Sequence, residues 1–125
     1  MRLLIVEDEK QICDMVAKSL YAAGYEVDTC YDGKEALECI LSENYDLIVL
    51  DLNLPGMDGM ALLSRLLARE PRPVLILLTA YGDIETAVEA MKRGAYDFLA
   101  KPVNLDRLEL LLKRALAERQ LGAEN

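Results

Sequence analysis

The sequence predicts an α/β fold: a single doubly wound five-stranded parallel sheet, flavodoxin-like in its order 2-1-3-4-5, with helices on both faces. Three observations predict it. Strand and helix signals alternate five times along 125 residues, a length that suits one domain. Residues 47–50 and 74–78 are apolar without polar alternation, as strands covered on both faces are. Four apolar runs end in reactive residues: 3–6 in Glu7-Asp8, 47–50 in Asp51, 74–78 in Thr79, and 98–100 in Lys101-Pro102. In parallel strands these groups all emerge along one edge.

The elements follow in order. After the first strand, Cys13, Val16, Ala17 and Leu20 fall at i, i+3, i+4 and i+7 and give a helix one apolar face, stopped by Gly24. Tyr25, Val27 and Thr29 alternate with Glu26 and Asp28, the pattern of an edge strand. Asp32-Gly33 marks a turn, and Ala36, Leu37, Ile40 and Leu41 make the next helix face. Residues 54–59 read as loop. Leu62, Leu63, Leu66 and Leu67 form a helix that ends near Pro71 and Pro73. Asp83 caps the next helix, with Ile84, Ala87, Val88 and Met91 inward. Lys92 and Arg93 suit its negative end, and Gly94 stops it. A short strand leads to Lys101-Pro102, expected to be cis in a tight strand-to-helix turn. Asn104 caps a last helix running to about Gln120, with Leu105, Leu108, Leu112 and Ala115 on its inner face. Leu110, Leu111, Leu116 and Leu121 lie partly off that face, so the helix wants a second partner, such as a second copy of the chain. Residues 1–121 are read as one domain and 122–125 as a tail or the start of a linker.

Composition excludes several classes. A net charge of −8 opposes direct binding to nucleic acid or to an anionic membrane surface. The apolar run after Met1-Arg2 stops at Glu7, which is too short for a secretory segment, and no run approaches a membrane span. Cys13, Cys30 and Cys39 are an odd set without close metal spacing, and the chain has no histidine, so a zinc site is not expected. They read as buried reduced thiols of a cytoplasmic protein.

In a doubly wound sheet, ligands bind beyond the carboxyl ends of the strands where the strand order reverses. For this order the crevice lies between strands 1 and 3, so Asp8 and Asp51 meet although 43 residues apart. Crowded acids repel: a pair of unit charges at about 4 Å costs roughly 4 kcal/mol at an effective dielectric of 20. A hard divalent cation relieves this, and oxygen ligands suit magnesium, which shares its positions with phosphate. An aspartate can attack phosphorus and form an acyl phosphate, provided the phosphoryl charge is neutralised. Asp51 fits the nucleophile, Lys101 the counter-charge and Thr79 a hydrogen-bond donor. Taken alone, Thr79 is an ordinary strand residue and Lys101 a counter-ion for the acids.

These residues resemble the receiver domain of two-component response regulators over nearly the whole chain. The resemblance rests on Glu7-Asp8, the run from Asp51 through Asn53 to Gly59, Thr79-Ala80 and Lys101-Pro102, in that order. The spacing agrees as well, with 28 residues from Asp51 to Thr79 and 22 from Thr79 to Lys101. It implies that Asp51 is phosphorylated by a sensor histidine kinase. Mg2+ would be held by Asp8, Asp51 and the main-chain carbonyl of Asn53, with Glu7 acting through a water. The first acid is Glu where the family has Asp, which gives a longer reach. Thr79 would move toward the phosphoryl group and Lys101 would pair with it. Phe98 holds the position of the family's switch aromatic. Without a hydroxyl it would switch by packing, or else serve as a plain core residue. Tyr96 reads as a separate rim aromatic. Asn53 and Tyr81 hold the positions that tune dephosphorylation, and a bulky Tyr81 implies slow loss of phosphate.

Residues 83–98 further resemble the amino-terminal receivers of sigma-54-dependent activators, of the nitrogen-regulation type. That resemblance implies downstream ATPase and DNA-binding domains outside this chain, so the chain is an excised domain or a stand-alone relative. The implied protein is not an enzyme but a phosphorylation switch. Its fourth helix, fifth strand and fifth helix change their preference for a partner, a homodimer being expected, and so control transcription. The rival readings are a receiver-like interaction module that is never phosphorylated, an aspartyl-phosphate phosphatase and a flavin carrier. Asn53 opposes the phosphatase, which needs an acid there. Glu7-Asp8-Glu9 opposes the flavin carrier, because it would repel a phosphate.

Overall fold

The computed structural model describes residues 1–54, 58–80 and 83–124, with side chains through Arg119. Five strands, β1 (Arg2–Val6), β2 (Glu26–Cys30), β3 (Leu47–Asp51), β4 (Val74–Thr79) and β5 (Asp97–Ala100), form one parallel sheet in the order β2-β1-β3-β4-β5. Between and after them run α1 (Lys10–Ala22), α2 (Gly33–Ser42), α3 (Gly59–Leu67), α4 (Ile84–Arg93) and α5 (Leu105–Glu124). The sequence-based architecture therefore holds, strand order included.

The two-residue period of a strand explains why the central runs are apolar throughout. Leu4, Val6, Ile48, Leu50, Leu75 and Leu77 point to one face and pack with Ala36, Ile40, Leu62, Leu63, Leu66 and Ala90 of α2, α3 and α4. Leu3, Ile5, Leu47, Val49, Ile76 and Leu78 point to the other and pack with Cys13, Val16, Leu20, Leu108, Leu112 and Ala115 of α1 and α5. Each core is closed, so each strand side is dry.

Local signals set the helix ends. Asp32, expected in a turn, instead caps α2: its Oδ1 accepts the Glu35 N–H at 2.8 Å. Asp58 caps α3 by accepting from Met60 N–H at 2.9 Å, and Asn104 accepts from Arg107 N–H at 3.1 Å at the start of α5. Gly94 follows α4 with φ +126°, a left-handed conformation that L side chains rarely adopt. The Lys101–Pro102 bond is cis, as expected.

Several expectations fail, each for a packing reason. Ile84 and Val88 do not face inward; they are exposed, and Ala87 and Ala90 are the buried residues of α4. Close approach of the helix to the sheet selects the small side chains. Leu41 is exposed although its neighbour Ile40 is buried, because it falls on the outer flank of α2. On α5, Leu111 and Leu116 are buried and only Leu110 is off the core among the described side chains; Leu121 lies outside them. Leu111 and Leu116 join the core that α5 shares with α1 and the sheet, so that part of the stripe needs no second partner to cover it. The helix also runs on past the expected end near Gln120 as far as Glu124.

Candidate functional site

The register brings the carboxyl ends of the strands level. Val6 pairs with Leu50, Asp51 with Leu78, and Thr79 with Ala100. Glu7 and Asp8 follow β1, Asp51 and Thr79 end β3 and β4, and Lys101 follows β5. All five therefore lie along one edge of the sheet. Glu7, Asp51 and Thr79 are the buried polar residues of the described chain, each with no exposed surface.

Lys101 ties the edge together. Its Nζ donates to Glu7 Oε1 at 2.8 Å and to Asp51 Oδ2 at 2.9 Å, with Glu9 further out at 3.9 Å. The other Asp51 oxygen, Oδ1, accepts the Asn53 N–H at 2.9 Å. Single carboxylate oxygens of Glu7, Asp8 and Asp51 lie within 4.8 Å of one another. Asp8 is the more open of the three.

Two buried acids beside one ammonium cannot both keep ordinary acidities. Burial pushes the Glu7 carboxyl up to about 7, and Asp51 adds to the rise while Lys101 opposes it. Burial also acts to raise Asp51, but the neighbouring Glu7, the Asn53 N–H and Lys101 outweigh it and hold this carboxyl below its usual range. Burial works against the Lys101 charge, yet Glu7 and Asp51 raise its affinity for the proton. The arrangement is an anionic aspartate paired with a cationic lysine, beside a glutamate that retains a proton near neutrality.

Two atoms here have no partner. Among the described residues, Glu7 Oε2 and Thr79 Oγ1 are the buried side-chain polar atoms without a hydrogen bond. Such atoms are costly unless something else uses them. Three hard carboxylate oxygens suit Mg2+, and an unpartnered hydroxyl beside Lys101 suits a phosphoryl oxygen.

Asn53 is exposed, and its side chain spans two loops. Its Oδ1 accepts from Ala80 N–H at 3.0 Å and its Nδ2 donates to Asp83 Oδ2 at 3.0 Å. Asp83 opens α4 without bonding its backbone; its Oδ1 accepts from the Thr86 hydroxyl at 2.8 Å. The sequence suggested Asp83 as a cap and gave no sign of this bridge, because pairing between loops has no periodicity. Phe98 on β5 is partly buried against the core under α2, α3 and α4. Tyr96 is partly buried against the opposite core. Tyr81 lies outside the described residues.

The sequence matches the family described as response regulator receiver domain over residues 3–113. The chain belongs to this family. Receivers are phosphorylation-dependent signalling switches rather than conventional enzymes. They bind Mg2+ in an acidic pocket, for which Glu7, Asp8 and Asp51 are the candidates here. This receiver is 39% identical over 123 residues to the transcriptional regulatory protein ZraR of Salmonella typhimurium, covering 98% of this chain and 28% of that protein. It is 37% identical to the regulatory protein AtoC of Escherichia coli, covering 98% of this chain and 27% of that protein. The chain thus spans little more than a quarter of the curated relatives it matches. Among solved structures, the receiver domain of NtrX from Brucella abortus superposes with a TM-score of 0.85 at 42% identity, covering 92% of this receiver and 98% of that chain. The resemblance drawn from the sequence therefore holds at the level of the family, and its relatives are transcriptional regulators. No helix among the described residues is long and apolar enough to cross a membrane.

Proposed function

We propose that Asp51 is the phosphoacceptor of a switch that takes its phosphoryl group from a sensor histidine kinase. The observation that carries this reading is the Lys101 ammonium bonded to Asp51, on the same sheet edge as the buried, unpartnered Thr79 hydroxyl. Asp51 is held ionised and is thus a nucleophile at neutral pH. Its carboxylate oxygen attacks phosphorus, the phosphorus–nitrogen bond to the kinase histidine breaks, and an acyl phosphate forms. Lys101 then exchanges its bond to Asp51 for one to a phosphoryl oxygen, and Thr79 donates its hydroxyl to another.

Asp8, Asp51 and the Asn53 carbonyl would hold Mg2+, with Glu7 acting through a water. The ion supplies charge neutralisation at the phosphoryl oxygens. By the family resemblance, Asn53 and Tyr81 would tune dephosphorylation. Once Thr79 is engaged, the Asn53 bridge to Ala80 and Asp83 is strained, and α4 and Phe98 repack. The altered α4–β5–α5 face controls homodimerisation and, through ATPase and DNA-binding domains outside this chain, transcription.

The test is incubation with acetyl phosphate and Mg2+. The expected result is a mass gain of one phosphoryl group, lost in Asp51→Asn and strongly slowed in Lys101→Ala. An Asp51→Asn protein that gains the same mass would move the acceptor elsewhere. No gain in the wild type would favour an interaction module that is never phosphorylated.

A further inference from the structure

The β2–α2 unit brings together two thiols that phosphoryl transfer does not use. Cys30 ends β2 and Cys39 lies on α2, and their sulfurs are 3.2 Å apart. A shift of about 1.2 Å would bring them to the length of an S–S bond. Their surroundings are fixed from both sides. Cys30 pairs with Val6 and its carbonyl accepts the Glu7 N–H at 3.0 Å, while the Asp32 cap sets the start of α2. The two sulfurs differ in access: Cys30 is 1% exposed, whereas Cys39 is only partly buried. The third thiol is an internal control. Cys13 is buried in the core on the opposite face of the sheet, with its sulfur 3.9 Å from the Ile5 carbonyl.

We propose that Cys30 and Cys39 form a dithiol–disulfide pair, oxidised within the chain by a hydroperoxide that reacts first at Cys39. The Cys39 sulfur attacks one peroxide oxygen. The O–O bond breaks, an S–O bond forms, and the other oxygen leaves with the thiol proton as water. Cys30 stays a thiol meanwhile, because burial and the adjacent Cys39 raise its affinity for the proton. Its sulfur then attacks the Cys39 sulfur. The S–S bond forms, the S–O bond breaks, and hydroxide departs with the Cys30 proton as a second water. Two thiols give up two electrons and two protons, and one hydrogen peroxide becomes two waters. The linkage would staple α2 to the end of β2, one hydrogen bond from Glu7. It does not depend on Asp51 accepting a phosphoryl group.

The experiment exposes the whole purified chain to hydrogen peroxide. Thiols counted in denaturant are expected to fall from the three of the sequence to one. The mass should drop by about 2 Da, as two hydrogens leave. Peptide mapping should join Cys30 to Cys39 in a monomer with Cys13 free, and dithiothreitol should reverse the change. In Cys30→Ser, a sulfenic acid at Cys39 should be trapped by dimedone; in Cys39→Ser, both remaining thiols should survive. The proposal is overturned if three thiols survive in the wild type, if the cross-link joins two chains or involves Cys13, or if Cys39 takes up two oxygens while Cys30 stays free. The wild-type arm decides even if either serine variant fails to fold.

Discussion

Burial raises the Glu7 carboxyl, so between its ordinary value and about 7 the folded chain holds a proton that the unfolded chain releases, and this fixes the sign of a pH effect. That carboxyl sits at about 7, against an ordinary 4.5. Between those values the native state binds more protons than the unfolded state, so stability falls as pH rises. Below the window the contribution is fully present; above it the contribution is gone. A shift of this size corresponds to roughly 3 kcal/mol as a ceiling. Asp51 is shifted downward and acts only below the usual carboxylate range; Lys101 is shifted upward and acts only above the usual lysine range. Neither masks Glu7 between pH 5 and 7. Urea unfolding in chelator across that range is expected to show declining stability, with the slope flattened in Glu7→Gln. An unchanged slope in that variant would assign the effect to another group. Thr79 gives a second residue-scale prediction. Its buried hydroxyl has no partner, so Thr79→Val removes an unpaired polar group at nearly constant volume. It is expected to raise stability by about 1 kcal/mol while reducing phosphorylation from acetyl phosphate. A variant that is less stable, with phosphorylation intact, would show that the hydroxyl serves the fold.

At the scale of elements, Gly59 is the tightest point near the site. A Cβ there would lie 2.7 Å from the carbonyl oxygen of Leu52 and 3.0 Å from its Cα. Both are backbone atoms of the residue after Asp51, so neither can swing aside. Gly59→Ala is expected to cost about 1–3 kcal/mol in urea unfolding and to slow phosphorylation by displacing Asp51. A neutral result would mean that α3 shifts freely. What could be read in the sequence follows the same physics. The apolar runs were legible because two dry faces leave no place for a polar residue, and the acids were legible because they stop those runs. The inner face of α4 was not: Ile84, Ala87, Val88 and Met91 match a helical period, but the period does not say which flank touches the sheet, and contact distance favoured Ala87 and Ala90. The Asn53–Asp83 bridge and the Cys30–Cys39 contact were hidden for a related reason. Each joins residues whose meeting depends on where two elements come to rest.

For the whole molecule, one sheet serves two cores and one polar edge, so a change at the edge reaches the surface through whole elements. The exposed apolar side chains near α4 and α5 are where such a change would be read. Ile84 is 55% exposed, Val88 43% and Leu110 60%. Ile84 and Val88 lie one turn apart on α4, whose inner contacts are made by Ala87 and Ala90, so polar replacements at both should leave the fold intact. Helix α5 turns Leu108, Leu111, Leu112, Ala115 and Leu116 into its own core, so among its described side chains Leu110 is the large apolar one left exposed for a homodimer to use. In the proposed switch, sedimentation of the wild type is expected to shift from monomer to dimer after treatment with acetyl phosphate and Mg2+. The Ile84→Lys, Val88→Lys double variant should gain the same phosphoryl mass yet remain monomeric, with its unfolding free energy within about 0.5 kcal/mol of the wild type. If the phosphorylated wild type and the double variant dimerise equally, the dimer uses another face. If the variant loses phosphorylation as well, α4 acts on the acidic edge and not only downstream of it.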